Sequence, residues 1–284
     1  MNVIASRNIK LFFRDRRNVV MSFMSVFIIL GLYILFLGDT LKSGVPDSPG
    51  IGFLLDSWVM AGILAVTSVT ATLGALGIMV EDRTQNILKD FKAAPIKRYD
   101  LVGGYLLSAF TIGVVLSLVT LVLAEIYIVA QGGEWLPFVA WFKVVGLILL
   151  SVLASSSIVF FITSLLNSRN SFSTTGTIIG TLIGFLTGIY IPIGSLPEPV
   201  QWMIKIFPVS HAGALIRSVM VERPMEASFA GASAEAVQQF KLDMGVVYQY
   251  GDTFSSTALS IAVLVGTTVL FYLLSIAVMS RKSR

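Results

Sequence analysis

The sequence predicts an all-α membrane protein with six transmembrane helices, and three observations carry that reading. Hydrophobic residues make up 55% of the 284 and charged residues only 13%, with a mean hydropathy of +0.85, a composition no ordinary soluble domain has. Six apolar segments reach the ~20 residues that a hydrocarbon core of about 30 Å requires. They are approximately 19–37, 57–80, 101–130, 138–166, 172–191 and 256–279. Lys and Arg are also distributed unevenly about these segments, which sets an orientation.

Residues 1–18 form the first element. Ile4, Ile9, Leu11, Phe12 and Phe13 alternate with Arg7, Lys10, Arg14, Arg16 and Arg17, the pattern of an amphipathic helix lying in the membrane interface with its cations at lipid phosphates. The apolar run that follows is too long for a signal-peptide core and no small-x-small cleavage site follows it, so it reads as a retained first span. The remainder, 19–284, forms one transmembrane domain. The arm, the polar island 81–100, the short link 167–170 and the C-terminal tail together hold fourteen Lys and Arg, against six in the opposite loops. This places both termini in the cytoplasm, as in a multi-pass protein of a bacterial plasma membrane.

The second span is rich in small and hydroxyl residues, with Thr67 and Thr70 among them. The island after it, EDRTQNILKDFKAAPIKRYD, carries Ile87, Leu88 and Phe91 at the spacing of a short amphipathic helix, with Lys89, Asp90 and Lys92 around the rest of its surface and Pro95 ending it. The alternative for this apolar ridge is packing against the chain's own helix ends. In the third span Glu125 is the one carboxylate well inside a segment, and an intramembrane acid marks a functional candidate; Lys143 is a possible partner. The fourth span carries Ser151, Ser155, Ser156 and Ser157, and the fifth repeats Gly176, Gly180, Gly184 and Gly188 with Thr177 and Thr181 beside them. Such a ridge serves intrachain packing, a translocation path or a seam with a second copy.

Residues 192–255 form the largest segment between spans. Pro192, Pro197, Pro199 and Pro208 flank an apolar stretch, with Trp202, that is too short to cross. This suggests re-entrant or interfacial short helices. His211 follows at the bend and reads as a packing or hydrogen-bonding residue, and Ser233 as the N-cap of a surface helix that forms a lid. No cysteine and a single histidine exclude disulfides, thiolate metal sites and histidine clusters. No phosphate-cradling loop, nucleophile elbow, zinc motif or basic–aromatic nucleic-acid patch occurs, so the chain is not read as an enzyme.

The island Asp82, Asn86, Pro95 and Gly103 or Gly104 resembles the coupling loop of the type-2 ATP-binding cassette exporter permeases, the group containing drug, polysaccharide and lipid exporters. Asn86 departs from that family's glycine, but Asn is the best non-glycine substitute where a left-handed conformation is needed. The run Pro192, Leu196-Pro197, Gln201, Pro208 and Arg217 resembles the family's outer re-entrant helices, and Arg7–Asn18 its N-terminal interfacial helix. The resemblance implies a type V exporter-like subunit that pairs with a second permease copy, identical or related. Each subunit would dock a cytoplasmic coupling helix on one of two separate ATPase subunits, which would bind the ATP and Mg; this chain would bind no cofactor. It also implies that the second and fifth spans line the path and that Asp82, Asn86, Ile87, Leu88, Phe91, Lys92 and Pro95 serve coupling. An apolar, hydroxyl-bearing path suits an amphiphilic drug, antibiotic or lipid. The alternatives are an ion-gradient-driven secondary transporter using Glu125 and a membrane-embedded enzyme acting on lipid, for which no acid/base or metal set is visible.

Overall fold

Helix α1, Asn2–Arg14, buries Ile4, Ala5, Asn8 and Phe12 along one stripe, the pattern expected of an amphipathic helix. It is shorter than the expected 1–18. The reason is Asp15, whose extended backbone ends α1 and whose carboxylate accepts from the Arg17 and Asn18 N–H groups, capping α2, Arg16–Leu32. The computed structural model describes residues 1–43, 50–88, 91 and 98–281. From α2 the chain continues through a π-helical turn, Tyr33–Leu37, into the short α3, Gly38–Ser43.

Four long helices follow: α4, Ile51–Thr84; α5, Arg98–Ala130; α6, Phe138–Leu165; and, after an 18-residue α7, Arg169–Leu186, a final α12, Thr257–Arg281. Five helical stretches among the described residues are long and apolar enough to cross a membrane: Arg16–Phe36, Ile51–Thr84, Tyr99–Ala130, Phe138–Leu165 and Thr257–Val278. The fold is therefore that of an all-α membrane protein. The segment expected as a fifth span, 172–191, is helical only to Leu186, because Gly188 takes the left-handed conformation (φ 64°) that terminates the helix. Polar residues in its first half, RNSFSTTG, keep it out of the five.

Helix α4 is the centre of the bundle. At 34 residues it is about 51 Å long, well beyond a hydrocarbon core of about 30 Å, and most of its length is buried by α2, α5, α6, α7 and α9. The hydroxyls of the second and fourth expected spans meet there. Ser151 donates to Ser68 Oγ at 2.8 Å and Ser155 lies 3.0 Å from the same atom, a polar joint between α4 and α6 where no water competes.

The segment before α12 folds into α8, Glu198–Ile206, α9, Pro208–Met220, α10, Glu222–Ser228, and α11, Ala234–Asp243. Ser233 caps α11, accepting from the Ala236 N–H at 3.2 Å. A two-stranded hairpin, β1 Gln249–Tyr250 and β2 Thr253–Phe254, turns at Gly251 (φ 59°).

Candidate functional site

The family-like island begins at the end of α4, and the structure gives each of its described residues a physical task. Asp82, 2% exposed, receives both terminal nitrogens of Arg7 at 2.7 and 2.8 Å and the Tyr105 hydroxyl at 2.6 Å. Asp82 thereby joins three helices: α4, the N-terminal α1 and α5. The bidentate hydrogen bond from Arg7 to Asp82 holds the guanidinium above its ordinary pKa. Arg7 also donates to Asn8 Oδ1 at 2.9 Å. Next to it, α1 lies directly on α5. A Cβ at Gly104 would come within 2.7 Å of Ile4 Cβ, and one at Gly103 within 2.7 Å of Met1 Sδ. The glycines entering the third span are there so that α1 can dock.

The neighbours of Asp82 reach further. Glu81 pairs with Arg169 at the start of α7, and Arg83 donates to the Ser164 and Leu166 carbonyls at the C-terminal end of α6. Four residues after Asp82 the chain turns sharply at Asn86, whose φ of 63° is the left-handed conformation expected of it. The apolar ridge then divides. Leu88 is 8% exposed and belongs to the chain's own core, Ile87 is half-buried, and Phe91 packs against that core with the Arg7 guanidinium 5.5 Å from its ring. Leu88 and Phe91 are thus committed to α1 and the bundle rather than forming a free ridge. Lys89, Asp90, Lys92 and Pro95 lie outside the described residues. A cavity of about 1000 Å³ opens beside this junction, lined by Arg7, Leu11, Arg14, Glu81, Ile87 and Phe172 among others.

The expected path residues do not share one surface. Thr67 is fully buried with its hydroxyl returned to the Ile63 carbonyl, and Thr70 bonds Ser25 on α2 at 3.1 Å. Thr177 and Thr181 of α7 are exposed, each bonded to the carbonyl one turn back. The four glycines also differ. Gly180 faces open space, and Gly176 touches only Leu73. Gly184 is held against Tyr190, whose ring a Cβ would overlap, and Gly188 supplies the left-handed turn.

At the opposite end of the bundle Glu125 is 1% exposed. Its Oε2 accepts the Leu136 N–H at 2.9 Å, and its Oε1 has no partner among the described residues. The partner is therefore a loop amide, not Lys143, which is exposed; the nearby ion pair is Arg223 to Glu134 at 2.8 Å. A cavity of about 10 Å³, lined by Glu125, Ser57, Trp135 and Arg223, adjoins the carboxyl.

The short helices of this end part company. α9 is buried along most of its length, whereas α8, following Pro197, exposes Trp202, Met203 and Ile206. Pro192 precedes the 3-10 turn Ile193–Ser195 and Pro208 opens α9. His211 uses both ring nitrogens, with Ser260 Oγ on Nδ1 and the Lys205 carbonyl on Nε2, each at 3.0 Å, and burial pushes its pKa below the ordinary value.

Arg7, Tyr105, Trp58 and Arg217 are the prominent side chains that sequence reasoning assigned no specific contact. Arg7 was one of five cations in an interfacial arm, and nothing local distinguishes the one that meets Asp82. Trp58 and Arg217 stack at 4.6 Å, a contact 159 positions apart in sequence that periodicity cannot reveal.

An apolar bundle of long helices, with an arginine-clamped acidic residue at the head of a polar loop, defines an all-α membrane protein. The chain belongs to the ABC-2 type transporter family, which matches residues 1–221. Among curated proteins it is similar to Nodulation protein J of Rhizobium meliloti (strain 1021), 25% identical over 196 residues covering 68% of this chain and 72% of that protein. It is also similar to Nodulation protein J of Rhizobium leguminosarum bv. trifolii, 27% identical over 199 residues with the same coverage.

Proposed function

We propose that this chain is the permease of an ABC exporter that moves an amphiphilic drug, antibiotic or lipid. In this reading the Asp82 end is cytoplasmic, and α7, about 27 Å long, completes a sixth crossing together with residues 187–191. α8 and α9 form the outer interfacial and re-entrant pair. Two such chains, identical or related, enclose the path, with the exposed Thr177 and Thr181 face of α7 turned toward it or toward the seam. Each chain docks one of two ATPase subunits through the loop after Asn86, and the ATP and Mg sit on those subunits.

The observation that carries this reading is the Arg7–Asp82–Tyr105 junction at the head of that loop. A push on the loop would reach α1, α4 and α5 through Asp82, α6 through Arg83 and α7 through Glu81. ATP binding drives the cycle by favouring one arrangement over the other. Leu88 and Phe91 act here as the buried root of the coupling helix, which leaves Ile87 and Lys92 as candidates for touching the ATPase.

The test is purification of the chain after expression with the ATPase genes of its own chromosomal neighbourhood. An ATPase that co-purifies with wild type but not with Ile87→Asp/Lys92→Glu, and vanadate-sensitive transport by the complex in liposomes, are the expected results. A chain that purifies alone and moves substrate without ATP refutes the reading.

The unpartnered Oε1 of buried Glu125 favours a second reading, an ion-gradient-driven transporter. Glu125→Gln separates the two. The amide keeps an acceptor for the Leu136 N–H, so the exporter retains transport, whereas a proton-coupled carrier loses it.

A further inference from the structure

Arg217 is fully buried, yet none of the ion pairs among the described residues includes it, and its Nε has no partner. A guanidinium stays charged, and a buried charge without a counter-charge is costly. The fold nevertheless makes room for it. Its Nη2 donates to the Gly188 carbonyl at 3.3 Å, and its plane rests on the Trp58 ring. Three glycines line it: a Cβ at Gly62 would stand 3.0 Å from Nη2, one at Gly245 3.5 Å from Nη1 and one at Gly188 3.9 Å from Nη1.

The Gly188 carbonyl lies at the C-terminal turn of α7, the end that attracts cations. Trp58 makes the matching contact on its other side. Its indole N–H donates to the Met244 carbonyl at 2.7 Å, at the end of α11. One stacked pair therefore holds two carbonyls on two elements, the end of α7 and the end of the α11 lid, against α4.

We propose that the Trp58–Arg217 pair is the outer latch of this chain: Arg217 positions the end of α7, Trp58 positions the lid, and release of α7 from Arg217 accompanies opening to the outside. The assignment of α7 to the path rests on the proposed function; the double tether does not. A guanidinium held by one carbonyl and an aromatic face, with no carboxylate partner among the described residues, can let go without stranding a buried anion. That is a property suited to a contact that must break and re-form.

The chain has no cysteine, so pairs of spin labels can be placed without background. Val139 on α6 serves as reference, with Leu182 on α7 and Ala236 on α11, all exposed. Double electron–electron resonance on the full chain in nanodiscs, diluted with unlabelled chain, reads the two distances. Arg217→Met keeps an unbranched stem but removes the guanidinium and its donors. It is expected to broaden and shift the 139–182 distribution and leave 139–236 unchanged. Trp58→Phe keeps a ring under the guanidinium but loses the N–H, and is expected to do the reverse.

An unchanged 139–182 distribution in folded Arg217→Met overturns the latch. Should Arg217→Met not fold, Arg217→Lys carries the same test, with partial broadening expected and none overturning. Vanadate trapping of the complex with its ATPase is expected to shift 139–182 in the direction of Arg217→Met. No shift during active hydrolysis overturns the release step. Failure to find an ATPase refutes the exporter reading and leaves the tether measurements standing.

Discussion

Separating Arg7 from Asp82 tests the junction most directly, and the two halves of the pair predict unequal losses. In Arg7→Gln the carboxylate, 2% exposed in the wild type, keeps the Tyr105 hydroxyl as its remaining strong donor. Removing one partner of a buried pair costs about 3–5 kcal/mol. In Asp82→Asn the stranded group is Arg7, whose side chain is 31% exposed and can rehydrate. Two charge-assisted hydrogen bonds at about 1.5–3 kcal/mol each, discounted for that exposure, give a loss of about 2–3 kcal/mol. The double variant strands neither group, so its loss falls short of the sum by about 2 kcal/mol, within the range seen for contacting pairs. Reversible unfolding in mixed micelles, followed by helical circular dichroism, measures all three. A coupling energy below about 0.5 kcal/mol, the value of a solvated surface pair, refutes the account of Asp82 as a buried three-helix joint.

Three further outcomes follow from single positions. Asn86→Ala, which forces a non-glycine Cβ into φ 63° without the Asn side chain's local compensation, should cost about 1–2 kcal/mol, and Asn86→Gly should not destabilise; thermal unfolding distinguishes them. Gly184→Ala meets the Tyr190 ring and should cost about 1–3 kcal/mol, whereas Gly180→Ala enters open space and should be neutral to slightly stabilising within one chain. A Gly180→Ala variant that unfolds as an isolated monomer would contradict this. His211 has its pKa lowered by burial, so between that value and about 6.5 the unfolded chain binds more protons and stability rises with pH. Thermal stability should therefore fall on acidification below about 6.5, and His211→Gln should flatten the profile.

Five of the six expected spans were legible, because hydropathy acts residue by residue over some twenty positions. Asn86 was legible too, since its backbone demand is local: the sequence argued for a left-handed residue and the structure has one. Ser233 as a cap is the same kind of signal. What sequence could not supply was direction. Leu88 and Phe91 carry the right spacing for a ridge, but whether a ridge faces a partner or its own bundle depends on where α1 lies. That in turn depends on Gly104, Ile4 and the Arg7–Asp82 bond between helices 75 positions apart. The four-residue glycine repeat of α7 read as one surface, yet Gly180 faces space, Gly184 a ring, and Gly188 terminates the helix. Periodicity finds a stripe, and only packing says what each member touches. Glu125 was visible as a buried acid, while its partner, the Leu136 amide, was not, because backbone donors leave no mark in a sequence.

The unbroken length of α4 makes it a mechanical lever. Trp58, in the stacked pair with Arg217, and Asp82, in the junction with Arg7, sit on the same helix, 24 residues and about 36 Å apart. A tilt of about 5° about the midpoint of that segment would carry its two ends in opposite directions by roughly 1.6 Å each, enough to stretch a hydrogen bond beyond its range. A small movement at the loop and the loss of one contact at the far side are therefore matched in scale. No intervening relay of side chains is needed to connect them.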